Sequence, residues 1–130
     1  MMTRFIGIPY KDRGRTFTGA DCYGVLVLWY EHILGINIPD VAVDTSDVRG
    51  SFTQYLHEIS SRWERIDAPE PNCAVAMAMN EEHPKLVTHF GVMIDYKTML
   101  HSHRGAHSHI VKVDSPLVKN IIKGFYRWRG

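Results

Sequence analysis

Charge of one sign is what this 130-residue chain has least of: 15 Lys and Arg stand against 14 Asp and Glu, a net of +1. Without a basic excess there is no electrostatic case for gripping a phosphate backbone or lying on an anionic leaflet, so nucleic acid and membrane are poor first partners. Long apolar runs are missing too. Cys22 to Tyr30, the longest uncharged run in the first half, falls well short of the ~20 residues a bilayer span requires, and no membrane insertion is expected. Met1 to Tyr10 carries no apolar core of a signal peptide. Cysteine is scarce, with only Cys22 and Cys73, which excludes a disulfide-stapled scaffold. No repeat, low-complexity tract or Pro/Ser-rich linker divides the chain, so residues 1–130 read as one domain. Against these absences stand eight His, a density that suits metal sites and nucleophile–base chemistry alike.

The apolar pattern orders the domain. Tyr10 to Asp21, with Gly14, Gly19, Lys11, Arg13 and Arg15, reads as an exposed loop. Cys22 to Leu34 is nearly all apolar and of helix length, with Asp21 as N-cap and Gly35 as the stop. Asn37, Pro39 and Asp40 break the chain. A second helix follows, on which Phe52, Tyr55, Leu56, Ile59 and Trp63 form one apolar stripe opposite Gln54, His57 and Glu58. After Pro69 and Pro71 the period becomes two. The expected strands are Asn72 to Met79, Thr88 to Asp95, Thr98 to His103, Ser108 to Val113 and Ile121 to Trp128, with turns at Asp95 to Lys97 and near Gly105. Helices first and a strand meander afterwards give an α+β domain, its N-terminal helix packed on a central antiparallel sheet of about five strands.

Cys22 sits in the first turn of the first helix, where unpaired N–H groups and the helix dipole are expected to lower a thiol pKa. A thiolate needs an imidazole within hydrogen-bond reach. His89 opens one strand, with Gly91 leaving room beside it. His101, on the neighbouring strand, is placed to accept the Nδ1–H of His89, which would make a Cys–His–His triad. Spacing alone leaves the plainer readings open, since a cysteine at a helix start is commonly a packed small hydrophobe and a strand histidine a satisfied structural residue.

The motifs carry a resemblance. Gly7-Ile8-Pro9-Tyr10, a Gly-containing loop and Gly19-Ala20-Asp21-Cys22-Tyr23-Gly24-Val25 resemble the nucleophile motif of the NlpC family of papain-like cell-wall peptidases, whose usual form is P-Y, a Gly-rich loop and G-x-D-C-S-G-L/V. His89-Phe90-Gly91-Val92-Met93-Ile94 resembles that family's H-V-G-I-Y-L strand, and Met99-Leu100-His101-Ser102 its F/M-I-H-A strand. The likeness runs from about Phe5 to Tyr126. Within the family it is greatest to lambda-type tail-assembly peptidases of tailed bacteriophages. Tyr23, Gly35-Ile36-Asn37-Ile38-Pro39 and Gly124-Phe125-Tyr126-Arg127 stand where those have D-C-Y/W-G, G-I-x-I/L-P and G-F-Y-R.

The resemblance implies a papain-like fold, Cys22 as nucleophile, His89 as base and then acid, and His101 as the orienting residue. Tyr10, Asp21 and Tyr23 are the implied oxyanion or substrate-binding residues, with the Cys22 backbone N–H as a further oxyanion donor. It implies no cofactor and no metal. The implied reaction is hydrolysis of the γ-D-glutamyl–diamino acid amide of a peptidoglycan stem peptide through a thioester. The implied setting is a phage or prophage tail component that contacts other tail proteins, resides in the virion tail or in the bacterial cytoplasm before assembly, and acts on the wall in the periplasm. Two features depart from the family pattern: Glu70-Pro71-Asn72-Cys73 replaces the usual P-G-D, and Tyr23 in place of Ser adds bulk beside the nucleophile.

Rival readings attach to the remaining residues. Two H-x-H pairs in His101 to His109 raise a zinc-binding module, although no carboxylate or second thiol lies within the segment, and His103, His107 and His109 read as surface or groove residues. Cys73 reads as core. Lys11, Arg13 and Arg15 read as a cationic edge for an acidic peptide or as a solvated loop. Trp63, Phe125, Tyr126 and Trp128 read as core aromatics, one of which could floor the groove. A non-catalytic structural tail protein that keeps the fold is the alternative function.

Overall fold

Alternation along one strand explains how the domain is layered. In the segment around β4 (Ala74–Met77), Ala74 and Ala76 face a core shared with the first helix, while Cys73, Val75 and Met77 face a second, smaller core. Small side chains on the first face let the helix approach the sheet closely, and larger ones fill the opposite side. In the computed structural model, which describes residues 2–41 and 47–130, a short two-stranded ribbon, β1 (Arg15–Thr16) with β2 (Gly19–Ala20), leads into α1 (Cys22–Trp29). The helix widens into a π turn at Tyr30–Leu34 and stops at Gly35, which takes a left-handed φ of 67°. The helix expected over Cys22 to Leu34 is therefore present with a looser last turn.

α2 (Val48–Arg62) packs Tyr55 and Ile59 into the main core. Its apolar stripe is narrower than the spacing suggests. Leu56 is 49% exposed, and Glu58, expected on the polar side, is buried and accepts from the Trp63 indole at 3.1 Å. Trp63 belongs to no helical turn: its backbone is extended (φ −123°, ψ 148°) and begins β3 (Trp63–Ile66). The ring still reaches the core, stacking edge-on against Trp128 at 5.0 Å and Tyr30 at 5.5 Å. A periodic match at the end of a helix thus came from a residue that turns inward by a different backbone route.

The remaining strands are β5 (His89–Met93), β6 (Thr98–His103), β7 (Ala106–Lys112) and β8 (Ile122–Trp128). The sheet has six strands rather than about five, in the order β3-β8-β4-β5-β6-β7, and every pairing in it is antiparallel. β4 is shorter than the expected Asn72 to Met79. Asn72 takes a positive φ of 73° in the turn before it, and the register slips at Ala76/Met77. The first face carries α1 and α2 over Phe90, Val92 and Leu100, and Val118 closes the second over Met93 and Met99. Among the described residues no helix is long and apolar enough to cross a membrane.

The N-terminal loop is tied down twice. Gly7 and Ile8 exchange backbone hydrogen bonds with Ser108 on β7, and the Ser108 hydroxyl accepts from the Ile8 N–H and donates to the Phe5 carbonyl. Beneath it, Gly24 on α1 lies against the loop so closely that a Cβ would strike the Gly14 carbonyl oxygen. Gly24→Ala should therefore lower the stability by about 1–3 kcal/mol, the usual cost of overpacking a fitted interior. Urea unfolding measures this, and a variant as stable as the parent would show that the loop moves aside freely.

Candidate active site

Asp21 fixes where the cleft begins. Its carboxylate accepts from Gly24 N–H at 2.7 Å as the N-cap of α1, from Arg13 N–H at 2.9 Å and from the Arg15 guanidinium at 2.7 Å. Cys22 follows as the first helical residue, 7% exposed. The backbone N–H groups of Tyr23 and Phe90 and the Tyr55 hydroxyl on α2 are the donors that favour a thiolate at this sulfur.

The thiol is not acidic at rest, contrary to the expectation from its helix position. Burial first, and the Asp21 charge second, push its pKa up to about 12, against the pull of those three hydrogen bonds. The caps that satisfy the helix start bring a carboxylate beside the sulfur, and the low-dielectric surroundings outweigh the dipole.

β5 and β6 supply the imidazoles. Gly91 pairs with His101 across the ladder, and a Cβ there would lie 3.2 Å from the His101 Cβ. The rings of His89 and His101 meet in a 2.9 Å hydrogen bond between Nε2 of His89 and Nδ1 of His101. The expected pairing is present through the other ring nitrogen: Nε2 of His89, not Nδ1, faces His101. That leaves His89 Nδ1 as the nitrogen available to a nucleophile. Burial, and then the neighbouring His101, His103 and His109, hold the His89 pKa well below the ordinary imidazole value. Burial, His109 and His103 hold His101 down to about 3.

Cys22 and His89 line one cleft of about 410 Å³. Tyr10 and Arg104 stand on one wall, with Tyr55 and Ser51 of α2 on another. Tyr10 donates to Asp12 at 2.9 Å, and burial with the Asp12 bond raises its pKa. Asp12 also pairs with Arg104 at 2.7 Å, and that guanidinium lies 5.4 Å above the Tyr10 ring.

Not every expected residue reaches the cleft. Tyr23 turns into the core beside Tyr55 and Phe90, its hydroxyl donating to the Pro39 carbonyl at 2.7 Å, so it adds no bulk to the cleft beside Cys22. Asp21 borders the cleft, but its oxygens are taken up by the cap and by Arg15. Arg15 itself bridges Asp21 and Asp40, so the cationic edge expected of Lys11, Arg13 and Arg15 loses its third member. The guanidinium that borders the cleft is that of Arg104. Trp63, Phe125, Tyr126 and Trp128 lie away from the cleft, whose aromatic residues are Tyr10 and Tyr55. Cys73 is buried in the second core, as expected, with a thiol pushed up to about 11 by burial. Among the described residues no group of three or more His, Cys, Asp and Glu is arranged to hold a metal ion.

Tyr55 and Ser102 were not singled out from the sequence. Tyr55 sits inside an apolar stripe, where nothing distinguishes a hydroxyl that meets a thiol from one that meets solvent. Ser102 gives a faint signal, a hydroxyl where the family strand has Ala. It is fully buried, it borders the cleft, and its Oγ has no partner among the described residues.

By sequence comparison the chain matches no protein-family model and no curated protein. By structure it is similar to an NlpC/P60 family protein from Bacillus cereus ATCC 10987 (TM-score 0.67, 22% identity), with 97% of this chain covering 37% of that one. It is also similar to a protein described as similar to lipoprotein, NLP/P60 family, from Staphylococcus aureus subsp. aureus Mu50 (TM-score 0.64, 17% identity, 99% of this chain and 40% of that one). A third likeness is to the NlpC/p60 domain of the peptidoglycan hydrolase SagA (TM-score 0.63, 14% identity, 96% of this chain and 91% of that domain). The fold is thus that of NlpC/P60 domains, an α+β papain-like architecture, and this chain spans well under half the length of the first two proteins.

Two expectations follow from the geometry. Both imidazoles have depressed folded-state pKa values, so the unfolded chain binds the extra protons. Stability is full above about pH 6.5 and falls as the pH drops from there towards 3. Between pH 7 and 5 the His101 ring alone should cost about 2 kcal/mol. Urea midpoints at the two pH values should move less in His101→Gln, and equal losses in both proteins would show that His101 is not held neutral. Tyr55→Phe removes a donor from the sulfur, so iodoacetamide should alkylate Cys22 roughly tenfold more slowly at pH 8. An unchanged rate would mean that the hydroxyl gives the thiolate no support.

Proposed function

We propose that this chain is a cysteine peptidase that hydrolyses the γ-D-glutamyl–diamino acid amide of peptidoglycan stem peptides. The observation that carries the proposal is the 2.9 Å hydrogen bond between the buried rings of His89 and His101, with His89 bordering the same cleft as the capped-helix cysteine. The likeness of fold to a domain of a peptidoglycan hydrolase supports the substrate class.

In the reaction, Cys22 Sγ gives its proton to Nδ1 of His89 while Nε2–H of His89 stays bonded to His101. Separately, each group resists charge, the thiol because burial and Asp21 oppose a thiolate and the imidazole because burial and neighbouring rings oppose a cation. Transfer between them makes both charges at once, so each compensates the other. The thiolate attacks the amide carbon, and the oxyanion takes hydrogen bonds from the Cys22 backbone N–H and, once it turns from Asp12, from the Tyr10 hydroxyl. Such donors are typically worth ~2.7–4 kcal/mol in the transition state. His89 then returns the proton to the leaving amine, the C–N bond breaks and a thioester remains. Water, deprotonated by His89, attacks the thioester; the C–S bond breaks, the acid is released and the thiol is restored. Arg104, paired with Asp12, stands at the rim of the cleft.

The setting we propose is a phage or prophage tail component that meets other tail proteins and acts on the wall in the periplasm. The residues Tyr23, Gly35 to Pro39 and Gly124 to Arg127 support it. A second reading, a structural domain that keeps the fold without turnover, draws on the protonated resting thiol. Incubation with diaminopimelate-type peptidoglycan separates the two. The parent chain should release muropeptides bearing a new diaminopimelate amine, seen by mass spectrometry, and Cys22→Ala should release none. Equal release by both proteins, or none by either, would overturn the peptidase reading.

A further inference from the structure

Beyond the cleft lies a second cavity, of about 290 Å³, whose apolar wall includes Ile110, Val118 and Ile121. Three imidazoles, those of His101, His103 and His109, supply its polar side, and among the described residues no carboxylate, ammonium or guanidinium lines it. Met79 and His103 border both cavities, so the two are neighbours on either side of the histidine pair.

One atom in this cavity is out of balance. His101 is only 2% exposed, its Nδ1 is engaged by His89, and its Nε2 has no hydrogen-bond partner among the described residues. The tautomer of that ring follows from its neighbour, on the proposed role of His89. For Nδ1 of His89 to accept the thiol proton it must hold a lone pair, so the neutral ring carries its hydrogen on Nε2 and donates to His101. His101 accepts at Nδ1, and its single proton is therefore on Nε2. A buried N–H without an acceptor is costly, and the His101 ring that carries it borders the second cavity.

We propose that this cavity is a second binding site, which takes a short aliphatic carboxylate. The head group accepts the His101 Nε2–H, with the His103 and His109 rings beside it at centroid distances of 5.6 and 4.5 Å from His101. The chain lies on Ile110, Val118 and Ile121. His103 and His109 give their Nδ1–H groups to the carbonyls of Arg104 and His107, so the His101 Nε2–H is the donor left for an acceptor head group. Among the described residues no carboxylate lines the cavity to repel it, and an apolar body suits the rest. Occupancy fixes the His101 tautomer and, through it, the orientation of His89, so the ligand positions the catalytic pair from behind.

The test reads binding directly, with no peptidoglycan present, so its failure is distinct from failure of the muropeptide digest. Ring ¹⁵N and methyl resonances of the full chain are followed at pH 7 during titration with sodium hexanoate and, separately, hexylammonium chloride. Hexanoate should give saturable shifts at His101 Nε2 and at the methyls of Ile110, Val118 and Ile121, with hexylammonium at least tenfold weaker. Ile121→Trp, which fills the cavity, and Ile110→Glu, which places a carboxylate at its rim from a partly exposed strand position, should each weaken hexanoate at least tenfold. Shifts that do not saturate, equal binding of both probes, or undiminished binding by both variants would overturn the site. Preference for hexylammonium would overturn it as well, since it would show a bare lone pair on His101 Nε2 in place of the N–H that a carboxylate needs.

Discussion

The carboxylate of Asp21 is the constraint on which the rest of the site depends. Buried to 1% exposure, it caps α1 through Gly24, anchors the preceding loop through the Arg13 N–H and holds the Arg15 guanidinium. Arg15 passes the restraint on, to Asp40 and to the carbonyl of Val41 beyond the first helix. One side chain thereby ties the loop, the helix start and the segment after the helix into a single corner. Removing one partner of such a buried pair strands the other charge, at a cost of about 3–5 kcal/mol. The position of the Cys22 backbone is inherited from that corner.

The same carboxylate sets the chemistry. Placed one residue before the sulfur, it opposes a thiolate, as burial does. The histidine pair is held neutral by the mirror-image effect, burial with further imidazoles crowding it. In this cleft the thiol rests protonated and the imidazoles rest neutral. Tyr55 enters here, since its hydroxyl is a donor to the sulfur from a separate helix, and its ring is wedged 4.7 Å from Phe90, the residue after His89. The Tyr55–Phe90 contact thus ties α2 to the strand that carries His89.

Local patterns carried most of the architecture. The buried helix after Asp21, the strand Thr98–His103 and the antiparallel meander were legible because capping, apolar runs and period-two alternation act over a few residues. β3 was not, because Trp63 continues the helical spacing of α2 while its backbone is already extended. Cys22, His89 and His101 were legible as a linked set of motifs, although which nitrogen of His89 meets His101 is a property of the fold. Tyr23 shows the limit on the other side. Its neighbour in sequence is the cysteine, yet helical geometry turns its ring towards Tyr55 and Phe90 and its hydroxyl to Pro39. Arg15 was misjudged for a related reason: a loop cation reads as solvated until Asp21 and Asp40 are folded onto it.

The two faces of the sheet divide the labour. On one, small side chains at Ala74 and Ala76 bring α1 close, and the capped end of that helix presents the sulfur. Alternate positions of β5 and β6 carry His89 and His101, whose hydrogen bond joins the strands laterally where Gly91 leaves no side chain between them. The two rings share the face of Met77, Met93 and Met99, opposite α1, and their hydrogen bond leaves His101 Nε2 as the outermost polar atom of the pair. Any acceptor that meets that atom acts on the tautomer of both rings, because each neutral imidazole has one proton and the choice at one ring dictates the choice at the next. The geometry of this fold makes the back of the sheet as relevant to the cysteine as the cleft in front of it.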